Sequence, residues 1–342
     1  MTTPFHAEGL IILGAPRSGT TLLRRLIDAH PHIACPGETN VFTACGRFLR
    51  SERIAAGVRI GVLDGLSYAG FAQEDVLARL RELAFSFHRE YAQRHGKSRW
   101  ASKTAFDAFY LEELEALCGA QVHFICIQRH GLDVACSLQE LSDKNGGYLR
   151  ELHDYVIRYP MILEAFAHVW VDLAQAIHAF AHRHPQNALL VRYEDLTGDT
   201  DATMARIMTF VGEEWNAALT EQALEKRSDL GLGDWKTYAR TAIDWSSVDR
   251  WKKLPRDTVS RLGAICNPTL SLCGYEPIVL DSEGSADTAR RRYEVGLLLQ
   301  GLKGKPERDA ATDTYASATQ ARPRKSKSSR RRRRATGLSR RS

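Results

Sequence analysis

Apolar and polar positions along the chain follow two alternating rhythms. Residues 9–15, GLIILGA, form a short unbroken apolar run, the pattern of a strand covered on both faces. Residues 16–21 then bring Pro, Gly and small hydroxyl side chains, and Leu22, Leu23, Leu26 and Ile27 recur at helical spacing before His30-Pro31. Strand, tight loop and helix are therefore predicted in that order. The succession is predicted three more times: strand 100–104 with helix 109–117, strand 122–128 with helix 131–141, and strand 188–193 with helix 200–211. Strands that alternate with helices pair in parallel through right-handed crossovers. The expected fold class is α/β, with three α/β/α layers around a central parallel sheet.

Two helical insertions interrupt this pattern, over residues 74–95 and 159–184. In the second, Ile162, Phe166, Val169, Leu173, Ile177 and Phe180 recur at spacings of three and four, the mark of a core-facing stripe. Three segments are expected: a main domain over 1–281, a helical extension over 282–302 and a disordered tail over 303–342, where large apolar residues are scarce. The extension holds one predicted helix at 289–302.

Composition changes the picture in three places. The 342 residues are enough to bury a core, and 44% hydrophobic with 26% charged residues is ordinary for a globular chain. No apolar run approaches the ~18–20 residues of a membrane-spanning helix, and no basic region with a following apolar stretch opens the chain. A protein with no integral membrane association, in the cytoplasm, is expected. Secondly, the net charge of +6 is local: residues 321–342 carry eleven Lys or Arg and no acid, and without them the balance is −5. The tail is thus a candidate polyanion contact, whereas the body carries no charge signal for nucleic acid. Finally, seven cysteines without a CxxC pair or metal-ligand spacing point to a reducing compartment and no disulfide framework.

The loop Pro16-Arg17-Ser18-Gly19-Thr20-Thr21 carries the first candidate chemistry. A helix N-terminus offers unpaired N–H groups and positive potential, so an anion fits there. Gly19 lets backbone approach closely, Ser18, Thr20 and Thr21 can donate to phosphate oxygens, and Arg17 adds charge. A nucleotide triphosphatase would show GxxxxGK[ST]. Gly14 and Gly19 are present, but Thr20 stands where the Lys belongs, which argues for a phosphate-bearing ligand other than ATP with its metal.

At GAPRSGTTLLRRLIDAHP the chain resembles the 5′-phosphosulfate-binding segment of the sulfotransferase family, which uses 3′-phosphoadenosine 5′-phosphosulfate (PAPS) and releases 3′-phosphoadenosine 5′-phosphate (PAP). The resemblance spans residues 9–275 and lies closest in style to the tyrosylprotein and glycan branches, as in bacterial-type members. It implies a P-loop-like sulfotransferase fold, a catalytic domain over 1–281, and no metal. Residues 127–137, IQRHGLDVACS, resemble the family's 3′-phosphate motif, with Arg129 and Ser137 as the clamp; His130-Gly131 replaces the usual Asp-Pro. The VRYEDL segment at 191–196 resembles one whose Tyr, here Tyr193, lies near the adenine. In Gly233-Asp234-Trp235-Lys236 the resemblance makes Lys236 a phosphate ligand, with Arg227 a weaker candidate, and Trp251 is assigned to packing.

For the transfer itself, Arg17 and Lys103 are the candidate cations. Lys103 ends the second predicted strand, and parallel sheets present ligands at carboxyl strand ends, so Arg17, Lys103 and Arg129 should share one rim. Cytosolic relatives carry Lys-Thr-His there with the His as base; Lys103-Thr104-Ala105 lacks it. Tyrosylprotein and glycan relatives use a Glu after the first helix, which selects Glu38 as general base, with Asp107 and His130 in reserve. The expected activity is transfer of a sulfuryl group from PAPS to a hydroxyl, less readily an amine, of a small-molecule, glycan or peptide acceptor. A P-loop kinase-like phosphotransferase and a non-catalytic nucleotide- or polyanion-binding protein are the alternatives.

Overall fold

The computed structural model describes residues 7–225, 243, 245–279 and 293–298. The chain divides into two units, Met1–Leu280 and Asp281–Ser342; of the second, residues 293–298 are helical, inside the expected 289–302 stretch.

The first unit is built on a five-stranded sheet of order β2-β5-β1-β6-β7: β1 (Gly9–Leu13), β2 (Ile33–Ala34), β5 (Arg99–Lys103), β6 (Val122–Gln128) and β7 (Ala188–Arg192). Every pairing in it is parallel. Ile12 is level with Lys103 on one side and Ile125 on the other, and Gln128 is level with Arg192. The strands therefore end together, and residues that follow them meet at one rim.

Period-two alternation sorts the central strands between two cores. Ile11, Leu13, Trp100, Phe124 and Cys126 face a layer made by α2 (Val41–Leu49), α4 (Gln73–Arg94), α5 (Leu111–Cys118), α6 (Gly131–Asn145), α8 (Ile162–Arg183) and α12 (Arg256–Leu272). Leu10, Ile12, Ala101, Ile125 and Ile127 face α1 (Thr20–Ala29), α9 (Tyr193–Gly198), α10 (Thr200–Val211) and α11 (Ala218–Glu225). The three expected layers are present. Each fully buried Leu, Ile or Phe contributes roughly 1.5–3 kcal/mol, so packing rather than helix propensity holds the rim in place. Close approach also matters: a Cβ on Gly9 would lie 2.3 Å from the Trp100 ring, so only glycine lets β1 and β5 pack here.

The remaining elements extend outward. An antiparallel hairpin, β3 (Glu52–Ala55) with β4 (Val58–Ile60), is exposed along its length, and α3 (Val62–Tyr68) buries no residue. The insertion stripe at Phe166, Val169, Leu173, Ile177 and Phe180 is buried in α8, as expected of core packing; the predicted 159–184 helix is shortened because α7 (His153–Arg158) and a break precede it. All seven cysteines are free. Among the described residues no helix is long and apolar enough to cross a membrane.

Candidate active site

The loop after β1 is shaped by two close approaches. A Cβ on Gly14 would meet the Ile127 side chain and carbonyl at 2.8 Å, and one on Gly19 would meet the Tyr193 ring at 2.2 Å. Gly19 also adopts φ 94, the left-handed region where side chains are strained. Arg17 sits there too, at φ 75, and this turns its carbonyl toward Arg129, whose Nη1 donates to it at 2.8 Å. No side chain caps α1. The Ser18 hydroxyl is buried with no hydrogen-bond partner, directly before that uncapped N-terminus. A buried hydroxyl without a partner costs about 1–3 kcal/mol, so an anion bound here would relieve it while accepting the free helix N–H groups.

Arg129 lies two residues before α6 and Ser137 in its second turn, both beside the loop. Arg17 Nε donates to Ser137 Oγ at 3.0 Å, so the loop cation and the α6 hydroxyl already touch. Arg129 is 4% exposed, its Nε has no partner, and its Nη2 donates to the Ser247 carbonyl. Its guanidinium carbon lies 4.8 Å from the Tyr193 ring centre, and its own carbonyl accepts from Trp170 Nε1 at 3.0 Å. Burial lowers the Arg129 pKa, yet a guanidinium remains charged at any physiological pH. Tyr193 is thus held between Gly19 and Arg129, 5% exposed. Lys236 and Arg227 lie outside the described residues.

The second centre is the pair Lys103–Glu38. Lys103 ends β5 and is 1% exposed; its Nζ donates to Glu38 Oε1 at 2.5 Å. Burial pulls the Lys103 pKa down, against the opposing pull of Glu38. The Glu38 carboxylate keeps 11% of its surface open. Its loop is fastened at both ends. Arg24 of α1 donates to the Cys35 carbonyl at 2.7 Å, and Asp28 accepts from the Cys35 N–H at 2.9 Å. On the far side Thr39 Oγ1 lies 3.4 Å from Nε2 of buried His88, whose Nδ1 bonds the Ala84 carbonyl at 2.7 Å. These supports come from residues whose sequence spacing carries no signal.

The two reserve bases differ in their surroundings. His130 stacks on Trp251 (ring centres 5.3 Å, planes 8° apart) and burial pushes it down to about 4, which makes it a weak base. Its N–H donates to Glu194 Oε1 at 3.0 Å, and Tyr275 donates to the other oxygen at 2.8 Å, so the Glu of VRYEDL fastens the turn that departs from the family pattern. Trp251 packs there as expected. Asp107 is fully buried in the 3₁₀ turn after β5, where its Oδ1 accepts from Thr43 at 2.6 Å and burial pushes its carboxyl up to about 7.

Away from the rim, His30, His32 and Glu213 bring ligand-type atoms within 4.8 Å of one another. Both ring nitrogens of His30 are already engaged, by the Glu214 carbonyl and the His32 N–H, and Arg99 pairs with Glu213 at 3.1 Å. That group is a hydrogen-bond cluster at the other end of α1.

Fold and rim together define a three-layer α/β protein whose loop 16–21 and cationic side chains lie at the carboxyl ends of parallel strands. Residues 9–217 match the sequence model of the Sulfotransferase family, and the chain belongs to that family. It is 28% identical over 255 residues to "Nodulation protein NoeE" of Sinorhizobium fredii (strain NBRC 101917 / NGR234), covering 70% of this chain and 59% of that protein's length. It is 25% identical over 290 residues to "Protein-tyrosine sulfotransferase A" of Caenorhabditis elegans, covering 81% of this chain and 68% of the relative. Among solved structures it resembles the sulfotransferase domain of the Synechococcus PCC 7002 olefin synthase, with TM-score 0.53, 20% identity, and coverage of 80% of this chain and 96% of that one. The P-loop-like sulfotransferase fold is thereby shown.

Proposed function

We propose that the protein transfers a sulfuryl group from PAPS to a hydroxyl of an organic acceptor. One observation carries this: Arg17 touches both Arg129 and Ser137 beside an uncapped helix N-terminus with an orphaned Ser18 hydroxyl, and the Lys103–Glu38 pair ends the neighbouring strand, where Lys103 is level with Ile12 of β1. Ser18, Gly19, Thr20 and Thr21 would hold the 5′-phosphosulfate through backbone and hydroxyl donors. Arg129 supplies a planar fork and Ser137 a hydroxyl for the 3′-phosphate. Tyr193 would back the nucleotide, and Lys236 would reach its phosphates.

In the transfer, the acceptor oxygen forms its bond to sulfur while the bond from sulfur to the 5′-phosphate oxygen breaks in line. Glu38 takes the hydroxyl proton. Arg17 and Lys103 stabilise charge on the departing oxygen, where preorganised donors act most strongly. Proton arrival at Glu38 neutralises the carboxylate that holds Lys103, so the ammonium is freed for the leaving group as charge develops there.

Among the peptide, glycan and small-molecule hydroxyls we propose as acceptors, the protein-tyrosine sulfotransferases among the named relatives support a tyrosine-bearing peptide. The free cysteines suit a cytoplasmic setting. We read residues 1–281 as the catalytic domain and the basic tail, 303–342, as a polyanion contact appended to it. The test is labelled PAPS with a panel of tyrosine peptides, glycans and small phenols and alcohols, using wild type and Glu38→Ala. Wild type should transfer label; the variant should lose most turnover yet keep PAP affinity. Near wild-type transfer by Glu38→Ala would refute the base assignment.

A further inference from the structure

Asp133, in the first turn of α6, is a fully buried carboxylate that the transfer scheme does not use. Its partners lie 116 and 118 positions away: Oδ2 accepts from the Asp249 N–H at 2.9 Å, and Oδ1 from the Trp251 N–H at 3.2 Å. Both donors belong to a strap of two short 3₁₀ turns, Trp245–Ser247 and Arg250–Lys253, that lies against α6. Between the turns Asp249 adopts φ 60, a left-handed conformation that costs energy in a residue with a side chain and persists where its surroundings hold it. Hydrogen bonds from N–H groups to a charged carboxylate are about twice as strong as neutral ones, so Asp133 is the main support. Arg250 adds an ion pair to Glu140, two turns further along α6.

The strap in turn holds the two residues that precede α6. Its Ser247 carbonyl accepts from Arg129 Nη2, and the Trp251 ring lies flat on His130. The other terminal nitrogen of Arg129, Nη1, donates to the Arg17 carbonyl, so the guanidinium is stretched between one carbonyl of the loop and one of the strap. Two such bonds fix its plane, and the buried Nε is left as a donor without a partner. We propose that Asp133 is a positioning residue for the 3′-phosphate: by gripping the N–H groups of Asp249 and Trp251 it seats the strap, and through the Ser247 carbonyl it sets the plane in which Arg129 presents its guanidinium. The inference rests on the nucleotide reading given above. A strap released from Asp133 leaves Arg129 anchored at Nη1 and able to turn about that bond, and a fork that the ligand itself must order binds less tightly. The loop 16–21 takes no hydrogen bond from Asp133, so its grip on the 5′-phosphate should not change.

The test joins calorimetry to amide hydrogen exchange on the full chain, with three variants beside wild type. Asp133→Asn keeps the shape but loses the charge and sets an NH2 group against an N–H donor. Asp249→Pro removes one donor from the strap side, at an exposed position, and leaves α6 untouched, so it carries the test should the buried Asn variant fold poorly. Asp249→Gly keeps the N–H and suits φ 60, and is the control. In Asp133→Asn and Asp249→Pro, adenosine 3′-phosphate should bind about tenfold more weakly, the loss expected of one charge-assisted hydrogen bond, while adenosine 5′-phosphate binds as it does to wild type. Exchange across residues 245–254 should accelerate in the same two variants and keep the wild-type rate in β6. Asp249→Gly should match wild type throughout. Unchanged exchange over 245–254 in both variants would overturn the anchor. An equal loss for both monophosphates, or a loss for neither, would overturn the positioning role while sparing the nucleotide site. No binding of PAP or of either monophosphate by wild type would overturn the nucleotide reading as well.

Discussion

Removing either partner of the Lys103–Glu38 pair should cost far more than removing a surface ion pair. The nitrogen and oxygen are 2.5 Å apart, with Lys103 1% and Glu38 11% exposed. Truncating one partner of a buried pair leaves an uncompensated charge and typically costs about 3–5 kcal/mol. Coulomb attraction at about 4 Å with an effective dielectric near 20 gives about 4 kcal/mol, of the same size. Glu38 keeps some access to water, so the lower half of that span applies to its loss of partner. Urea unfolding of wild type, Lys103→Met, Glu38→Gln and the double variant at pH 7 closes the cycle. We expect a coupling of about 2–4 kcal/mol, against about 0–1 kcal/mol for exposed pairs. The double variant should lose less stability than the sum of the two single losses. A coupling under about 0.5 kcal/mol would refute the buried pair, and with it the argument that proton arrival at Glu38 releases Lys103.

Two further outcomes follow from the rim. Arg129→Lys keeps the charge but loses the fork, so PAP affinity should fall about tenfold to a hundredfold, while adenosine 5′-phosphate, which lacks the 3′-phosphate, binds unchanged by calorimetry; an equal loss for both ligands would place Arg129 elsewhere. Gly19→Ala forces a Cβ to within 2.2 Å of Tyr193 at φ 94, whereas Gly57→Ala meets no atom within 4 Å at φ 77. The first should destabilise by several kcal/mol and abolish PAP binding, the second by about 1 kcal/mol from backbone strain, and equal melting temperatures would refute the close packing of Tyr193.

What could be read from residue order, and what could not, divides along a physical line. β1 is an unbroken apolar run, and β6 departs from one only at His123 and Gln128, because both faces are covered, and that coverage is written locally. The two-residue β2 leaves no pattern at all, and β3 with β4 is exposed throughout, so no apolar rhythm marks it. The helix α12 carries Pro268 in its interior, a residue that argues against a helix. The candidate site shows the same division. The loop 16–21 is legible because its anion chemistry is contiguous, and Arg17, Lys103 and Arg129 could be gathered by the rule that parallel strands end together. Ser137, Glu38 and Asp107 could be singled out too, but not whom each would meet. Arg17 meets Ser137 across 120 positions, Lys103 meets Glu38 across 65, and Thr43 meets Asp107 across 64.

These long-range contacts also explain why the departures from the family pattern leave the site intact. His130-Gly131 replaces a turn-forming pair after Arg129, yet the turn is fastened from outside by Glu194, which accepts the His130 N–H and is itself held by Tyr275. The turn after Lys103-Thr104, where the cytosolic pattern has a His, is likewise tied from a distance: Asp107, which closes it on the Thr104 carbonyl, accepts from Thr43 of α2. In both places a local signature has been exchanged for a tertiary hydrogen bond of about 1 kcal/mol or more. The rim therefore depends on the packing of α2 and α9 as much as on its own loops. Substitutions at Thr43 or Tyr275, neither of which is placed against the nucleotide, should perturb binding through Lys103 and Arg129 respectively. Calorimetry with PAP and with its two monophosphate fragments separates these routes: the 5′-phosphate fragment should respond to Thr43→Val and the 3′-phosphate fragment to Tyr275→Phe. A variant that weakened both fragments equally would show that the two supports are not independent.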